Sequence, residues 1–317
     1  HRIAVFFPAY KEDKVIIDSV RSFLGQDYPK ELYDVYVISD HMQDSTNETL
    51  SQLPIRLLTA TYEDSSKAKA LLLAINAIEE EGKAGGLRDR QLALMYDIAV
   101  VMDADNVTVP GFLSEVNRAY CTGVWSMQAH RTGKNLNTDI ALLDGVSEEI
   151  NNGFFRSGHN ALGLSAGLAG SGMAFHYFWY YNAVQELETA GEDKELELAL
   201  LECGIHTVYL EHLPVYDEKT QKKENIKKQR RRWMAAQFGI LCEGLSFIKY
   251  VKQMEGWWRW WPTFDLVDKI IQWMLPPRLV QLAAVFGFTL LTTLVYRPAA
   301  PKWWMLSAAQ IAAMFIP

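Results

Sequence analysis

Four apolar runs, each followed or preceded by a segment of helical spacing, fill the first third of the chain and leave few folds open to it. RIAVFFP begins at Arg2 and is stopped by Pro8; VIIDSVRSFL follows with apolar residues at helical intervals. YDVYVISD ends at Asp40, ahead of the helix-like STNETLSQL. PIRLLTA precedes SKAKALLLAINAIEE, which Ser66 is placed to cap, and YDIAVVMDAD closes the series. Near-continuous apolar strands alternating with helices predict an α/β fold, its mostly parallel sheet covered on both faces. Open parallel sheets bind ligands at the C-terminal ends of their strands. Asp40 and the pair Asp103 and Asp105 fall at such ends. Two residues apart on an extended segment, Asp103 and Asp105 are expected to point the same way. Like charges so placed repel unless a cation or hydrogen-bond donors lie between them, which suits a metal ion or a polyhydroxyl ligand; the alternative is that the two aspartates are turn formers.

At 317 residues the chain has room for a sizeable α/β domain and a further part. Its formal net charge of -7 hides an asymmetry: acids dominate to about position 218, and Lys and Arg cluster from Lys219 to Arg232. The acidic balance and the lack of a recognisable module argue against nucleic acid as a partner. Three dispersed cysteines without CxxC spacing suit a reducing compartment and no zinc site, and the seven histidines show no metal-ligand pairing. The chain opens inside an apparent strand with no signal peptide, as a piece of a longer protein would.

Three later stretches carry polar chemistry. TAGEDKELELALLECG puts Glu192 and Asp193 at the start of a helix whose Leu196, Leu200 and Leu201 face inward; acids there offset the helix dipole. KKENIKKQRRRWMAAQFGIL reads as a basic helix with Gln229, Arg232 and Trp233 on one face and Arg231 pointing away. That face offers an amide, a guanidinium suited to diphosphate oxygens and an indole suited to stacking on a sugar ring. SGHNALGLSAGLAGSGMAF is rich in small residues that admit close backbone approach, without the spacing of a dinucleotide site. Packing or ordinary hydrogen bonding is expected of His159 and His176.

In combination these motifs resemble the family 2 glycosyltransferases of the GT-A fold, the group of the cellulose, chitin and hyaluronan synthases. Pro8, Ala9, Tyr10 and Glu12 match the opening turn. Asp40 and Asp44 match an acidic motif in which Ser39 replaces an Asp, and Lys67, Ala70 and Leu71 match a motif in which Leu72 replaces an Asn. Asp103-Ala104-Asp105, AGSGMAF, Gly191-Glu192-Asp193 and the QxxRW motif at Gln229, Arg232 and Trp233 follow in the family's order, over about residues 2 to 240. The resemblance implies an inverting transfer of a sugar from a UDP-sugar donor to an acceptor hydroxyl, with Asp193 as general base. It implies Asp40, Asp103, Lys67 and Arg232 at the nucleotide, Asp105 on Mg²⁺ or Mn²⁺, and Gln229 and Trp233 at a glycan or lipid-linked acceptor.

GWWRWWPTF sets four tryptophans around Arg259, as interfacial belts do, and Leu279 to Val295 carries no charge over 17 positions. A second apolar run spans Trp303 to Ile316. These runs predict a multi-pass protein of the inner or plasma membrane with a cytosolic catalytic domain, against the alternative of a buried core helix. The expected organisation is a catalytic domain over 1–218, with its nucleotide-binding half to about 105, then the basic and Trp-rich segment 219–262, then transmembrane helices over 263–317. The resemblance, joined to those spans, makes a β-linked polysaccharide the expected product, against single transfer to a lipid-linked acceptor. Two other classes stay open: a membrane-anchored sugar-binding protein, and a phosphohydrolase. DADNV fits the DxDx[TV] pattern of haloacid-dehalogenase-like phosphatases, though that family carries the motif on its first strand.

Overall fold

A computed structural model of the chain describes residues 1–187, 191–219, 234–235, 237–246, 260–276 and 278–313. Its strands are β1 (Ile3–Tyr10), β2 (Tyr33–Asp40), β3 (Arg56–Ala60), β4 (Ile98–Val101), β5 (Val107–Thr108), β6 (Ser126–Gly133), β7 (Met173–His176) and β8 (Thr207–Asp217). Helices α1 (Ile16–Phe23), α2 (Asp44–Ser51) and α3 (Lys67–Ala84) alternate with the first strands. There follow α4 (Phe112–Cys121), α5 (Asp139–Asn151), α6 (His159–Ala161), α7 (Tyr177–Val184) and α8 (Glu192–Glu202). After β8 come α9 (237–246), α10 (Trp260–Met274), α11 (Arg278–Val295) and α12 (Ala300–Ala313).

One eight-stranded sheet holds the order β3-β2-β1-β4-β7-β6-β8-β5. The four strands expected from the sequence form its parallel half. Alternate residues of each strand enter separate cores, the period-two consequence of the pleat. Val5, Phe7, Val37 and Val100 meet Ile16, Val20 and Phe23 of α1 and Phe112 and Val116 of α4. Phe6, Ile38, Ala99 and Val101 meet Leu71, Ala74, Ile75 and Ile78 of α3, Tyr180 of α7 and Leu196 and Leu200 of α8. Burial on both faces is why these strands read as unbroken apolar runs.

Beyond β4 the sheet departs from the mostly parallel expectation and is mixed: β7 pairs antiparallel with both β4 and β6, and β5 antiparallel with β8. A second departure concerns Pro8, which does not stop β1. The β1–β4 register ends at Phe6 opposite Val101, so the edge of β1 that Phe6 and Pro8 share has no ladder partner at Pro8. The missing N–H is therefore not needed there.

Ser66 caps α3 as expected, its side chain accepting from Lys69 N. The three cysteines are free and exposed.

The membrane-spanning expectation for 263–317, and with it the multi-pass localisation, is corrected. Among the described residues no helix is long and apolar enough to cross a membrane. Leu279 to Val295 is uncharged, but α11 contains Gln281, Gly287, Thr289, Thr292 and Thr293, and its 18 residues rise only about 27 Å. It folds back through Arg297–Ala299 onto α12. There Thr289 Oγ1 shares a 2.8 Å hydrogen bond with Ser307 Oγ, and Phe288 stacks on Trp303. The side chains of the tryptophan cluster at 257–261 lie outside the described residues. Helix α10 instead docks by Leu266, Ile270 and Trp273 onto Leu198 and Leu201 of α8 and Ile240 of α9.

Candidate active site

The C-terminal ends of β1, β2 and β4 open side by side, the place where such a sheet receives ligands. Asp40, at the end of β2, is 3% exposed, and its Oδ1 lies 2.6 Å from His41 Nδ1. His41 and Lys11 both hold left-handed backbone, φ 55° and 56°, which turns the two strand ends together. Lys11 N donates to Asp40 O, and the His41 ring packs edge-on to Tyr10.

Asp103 and Asp105 do not lie on an extended segment but in a turn, the alternative that aspartates allow. Asn106 N donates to Asp103 O and Asp103 N donates to Asn106 Oδ1, closing residues 103–106 into a turn. The two carboxylates consequently take different partners. Asp103 Oδ1 accepts from Lys67 Nζ at 2.7 Å, while Asp105 Oδ2 accepts from Glu218 N at 2.8 Å.

Lys67, the first residue of α3, gathers the chain around Asp103. Its ammonium also donates to Gly170 O and lies 3.2 Å from Glu192 Oε1 at the start of α8. Burial alone would lower the Lys67 pKa, but Asp103 and Glu192 hold it above its ordinary value. Asp103 is held below the usual carboxylate range: burial opposes this, and Lys67 and Arg131 outweigh it. Glu192 goes the other way, raised to about 7 by burial and then by Asp193 and Asp103, against the pull of Lys67.

Arg131 on β6 completes the inner wall. Its Nε and Nη2 reach Asp217 Oδ2 at 2.9 and 2.8 Å, and its Nη1 donates to Ala169 O. Neither Arg131 nor Asp217 belongs to a recognisable sequence motif. The available signal was a basic residue late in β6 and an acid ending the apolar-alternating β8, both at strand ends. Glu192 was seen as part of a motif, but its contact with Lys67 is a tertiary fact.

Negative charge remains in excess here. Asp105 is pushed up by burial and by Asp103, and Glu12 by burial, Asp105 and Asp103. No lysine, arginine or histidine among the described residues pairs with the Asp105 carboxylate. Nor do three His, Cys, Asp or Glu side chains among them form a preformed metal cluster. One unpaired carboxylate beside another still fits Mg²⁺ or Mn²⁺, because such ions are commonly held by one or two carboxylates plus substrate phosphates.

Asp193 follows Glu192 in the first turn of α8, half-buried, its Oδ1 3.0 Å from Lys194 N. Gln229, Arg232 and Trp233 lie outside the described residues. His159 and His176 make ordinary contacts: His159 with Phe154 O and Asp268, His176 stacked near Trp125.

Residues 1–236 match the model of the glycosyltransferase-like family 2. The chain belongs to that family. No curated protein matches it. Among solved structures, this family 2 chain is similar to the mannosyltransferase PcManGT of Pyrobaculum calidifontis, in complex with GDP-Man and Mn²⁺. The identity is 14%, with 99% of this chain and 85% of that one covered and a TM-score of 0.55. It is also similar to residues 1–349 of S. aureus TarS in complex with UDP-GlcNAc, at 14% identity, 99% and 82% coverage and a TM-score of 0.53. At such identities the likeness shows the fold, and the mixed eight-stranded sheet of this glycosyltransferase-like chain is consistent with GT-A.

Proposed function

We propose that the protein transfers a sugar from a nucleotide diphosphate donor, UDP-linked by preference, to an acceptor hydroxyl with inversion. The observation that carries this reading is the Asp103–Lys67 pair standing beside an Asp105 carboxylate that pairs with no lysine, arginine or histidine among the described residues, at the C-terminal end of the parallel strands. Family membership and the nucleotide-sugars named for PcManGT and TarS support it.

In this mechanism Asp40 and Asp103 hold the nucleoside, and Lys67 fixes Asp103 and adds positive charge near the nucleotide. Asp105 would hold Mg²⁺ or Mn²⁺, which when bound neutralises charge on the departing diphosphate. Asp193 takes the proton from the acceptor hydroxyl as it attacks the anomeric carbon. Its place in the first turn of α8, half-buried beside Glu192, leaves the carboxylate able to meet an acceptor. Arg232 assists the diphosphate, and Gln229 and Trp233 place a glycan or lipid-linked acceptor. The polysaccharide expectation drew on membrane spans as well as QxxRW, so the proposal is confined to sugar transfer, with product length left to the assay.

The test is incubation of the purified chain with Mn²⁺, a panel of radiolabelled UDP-sugars and GDP-mannose, and mixed glycan and lipid-linked acceptors. The expected result is label transferred by wild type and lost in Asp193→Asn, with nucleotide binding retained. Full transfer by Asp193→Asn would remove it as base. Phosphate release from simple phosphomonoesters, abolished by Asp103→Asn and indifferent to sugar nucleotides, would replace the whole reading with a phosphohydrolase.

A further inference from the structure

Helix α10 lies beyond the family-matched residues 1–236, yet one stripe of it reaches the loop that closes the donor site. Asp265, Lys269 and Trp273 recur every four residues and so share a face. Asp265 accepts from Ser165 N at 2.9 Å and from Ser165 Oγ at 2.5 Å. Lys269, 1% exposed, lies 3.6 Å from Glu197 Oε1, and Trp273 Nε1 donates to Glu197 Oε2 at 3.4 Å. Glu197 in turn accepts from Leu168 N at 2.7 Å. Both lines of contact thus end on residues 165–168.

The next two residues of that loop carry the consequence. Ala169 O receives Arg131 Nη1, and Gly170 O receives Lys67 Nζ. Lys67 pairs with Asp103, and the charge of Arg131 lowers the pKa of the same carboxylate. Ser165, His206 and Asp265 also meet, but not as a hydrolase triad: the carboxylate bonds the serine rather than the histidine, and Ser165 is buried. The cluster is a fastening between α10 and the loop.

We propose that Asp265 is a positioning residue for donor binding, holding the 165–170 loop so that its carbonyls fix Arg131 and Lys67 beside Asp103. This rests on the sugar-transfer reading above. A merely structural contact would lower stability while leaving the affinity of the folded protein unchanged; a positioning contact shifts affinity itself.

The experiment is calorimetric titration of the full chain with UDP plus Mn²⁺, and with GDP plus Mn²⁺, alongside donor kinetics. Asp265→Ala is expected to weaken nucleotide binding about tenfold, with kcat at saturating donor within about threefold of wild type. Asp265→Asn, which keeps an acceptor for Ser165 N, restores most of the affinity. Ser165→Ala keeps its backbone bond to Asp265 and serves if Asp265→Ala fails to fold; it is expected to weaken binding in the same direction. Unchanged Kd in the folded variant, or a fall in kcat with KM untouched, overturns the proposal. Wild-type chain that binds neither nucleotide overturns both it and the sugar-transfer reading, since no donor site is then left to position.

Discussion

The Lys67 ammonium stands 3.2 Å from the Glu192 carboxylate, joining the start of α3 to the start of α8 across the mouth of the sheet. The same ammonium holds Asp103, so one cation serves two carboxylates drawn from distant parts of the chain. Replacing it by Met leaves the buried Glu192 without its cation and Asp103 with the Arg131 charge alone. Lys67→Met is expected to cost about 3 kcal/mol of stability, as breaking a buried pair does, and to abolish detectable UDP binding. Chemical denaturation and calorimetry measure the two effects; a variant that binds UDP as wild type would remove Lys67 from the donor site.

Glu192 gives the pH dependence. Its folded pKa of about 7 stands above the ordinary 4.5, so between those values the folded protein keeps a proton that the unfolded chain has released. Stability from this group is therefore full below pH 4.5 and is lost as pH rises through about 7. Glu192→Gln mimics the protonated side chain. Its melting temperature relative to wild type is expected to be higher at pH 8 than at pH 5, by about 2–4 °C. Thermal melts at the two pH values check this, and a difference that does not change with pH counts against it.

Asp105→Asn separates function from stability. The amide keeps an acceptor for Glu218 N and removes a charge that burial and Asp103 both disfavour. The ligand-free variant is expected to be more stable than wild type, read as a higher denaturant midpoint, while transfer falls about a thousandfold, since a divalent cation supplies several kcal/mol to such a reaction. EDTA should reduce wild type to the same residual rate. Transfer undiminished by EDTA would show that no metal is needed.

Gly172 enters β7 with φ 63°, and a Cβ there would lie 2.9 Å from Val215 Cγ2. Gly172→Ala combines left-handed strain with overpacking at the end of the site loop. It is expected to cost about 2–4 kcal/mol, read from the shift in denaturant midpoint.

How far the sequence could be read followed from how locally each feature is determined. The strands β1 to β4 were legible because they are buried on both faces and flanked by helices, so apolar runs and helical spacing alternate plainly. Strand β6 was not: Gln128, His130 and Arg131 interrupt its pattern, and each is satisfied by a tertiary partner. Gln128, for example, bonds Ala169 N and Ser171 O. Asp40, Asp103 and Asp105 were legible as acids at strand ends, with a turn among the alternatives, but the part of Asn106 in closing that turn and the separate partners of the two carboxylates were not. Helix α11 misled because counting charges overlooks Thr289, Thr292 and Thr293. Their hydroxyls bond backbone carbonyls and, at Thr289, Ser307 of the neighbouring helix.

The reversal of strand direction beside β4 has an engineering consequence. Strands β1 to β3 draw every ladder partner from residues 3–101, and β4 joins the remainder of the sheet through just four residue pairs, Ile98 with His176 to Val101 with Met173. The exposed turn at 121–123, between α4 and β6, can accordingly be lengthened without unpairing any strand of the first half. The rest of the stretch between β5 and β7 is not free to change, because Phe112 and Val116 of α4 fill the core under β1 and β4 while Arg131 of β6 and the carbonyls of Ala169 and Gly170 wall the site.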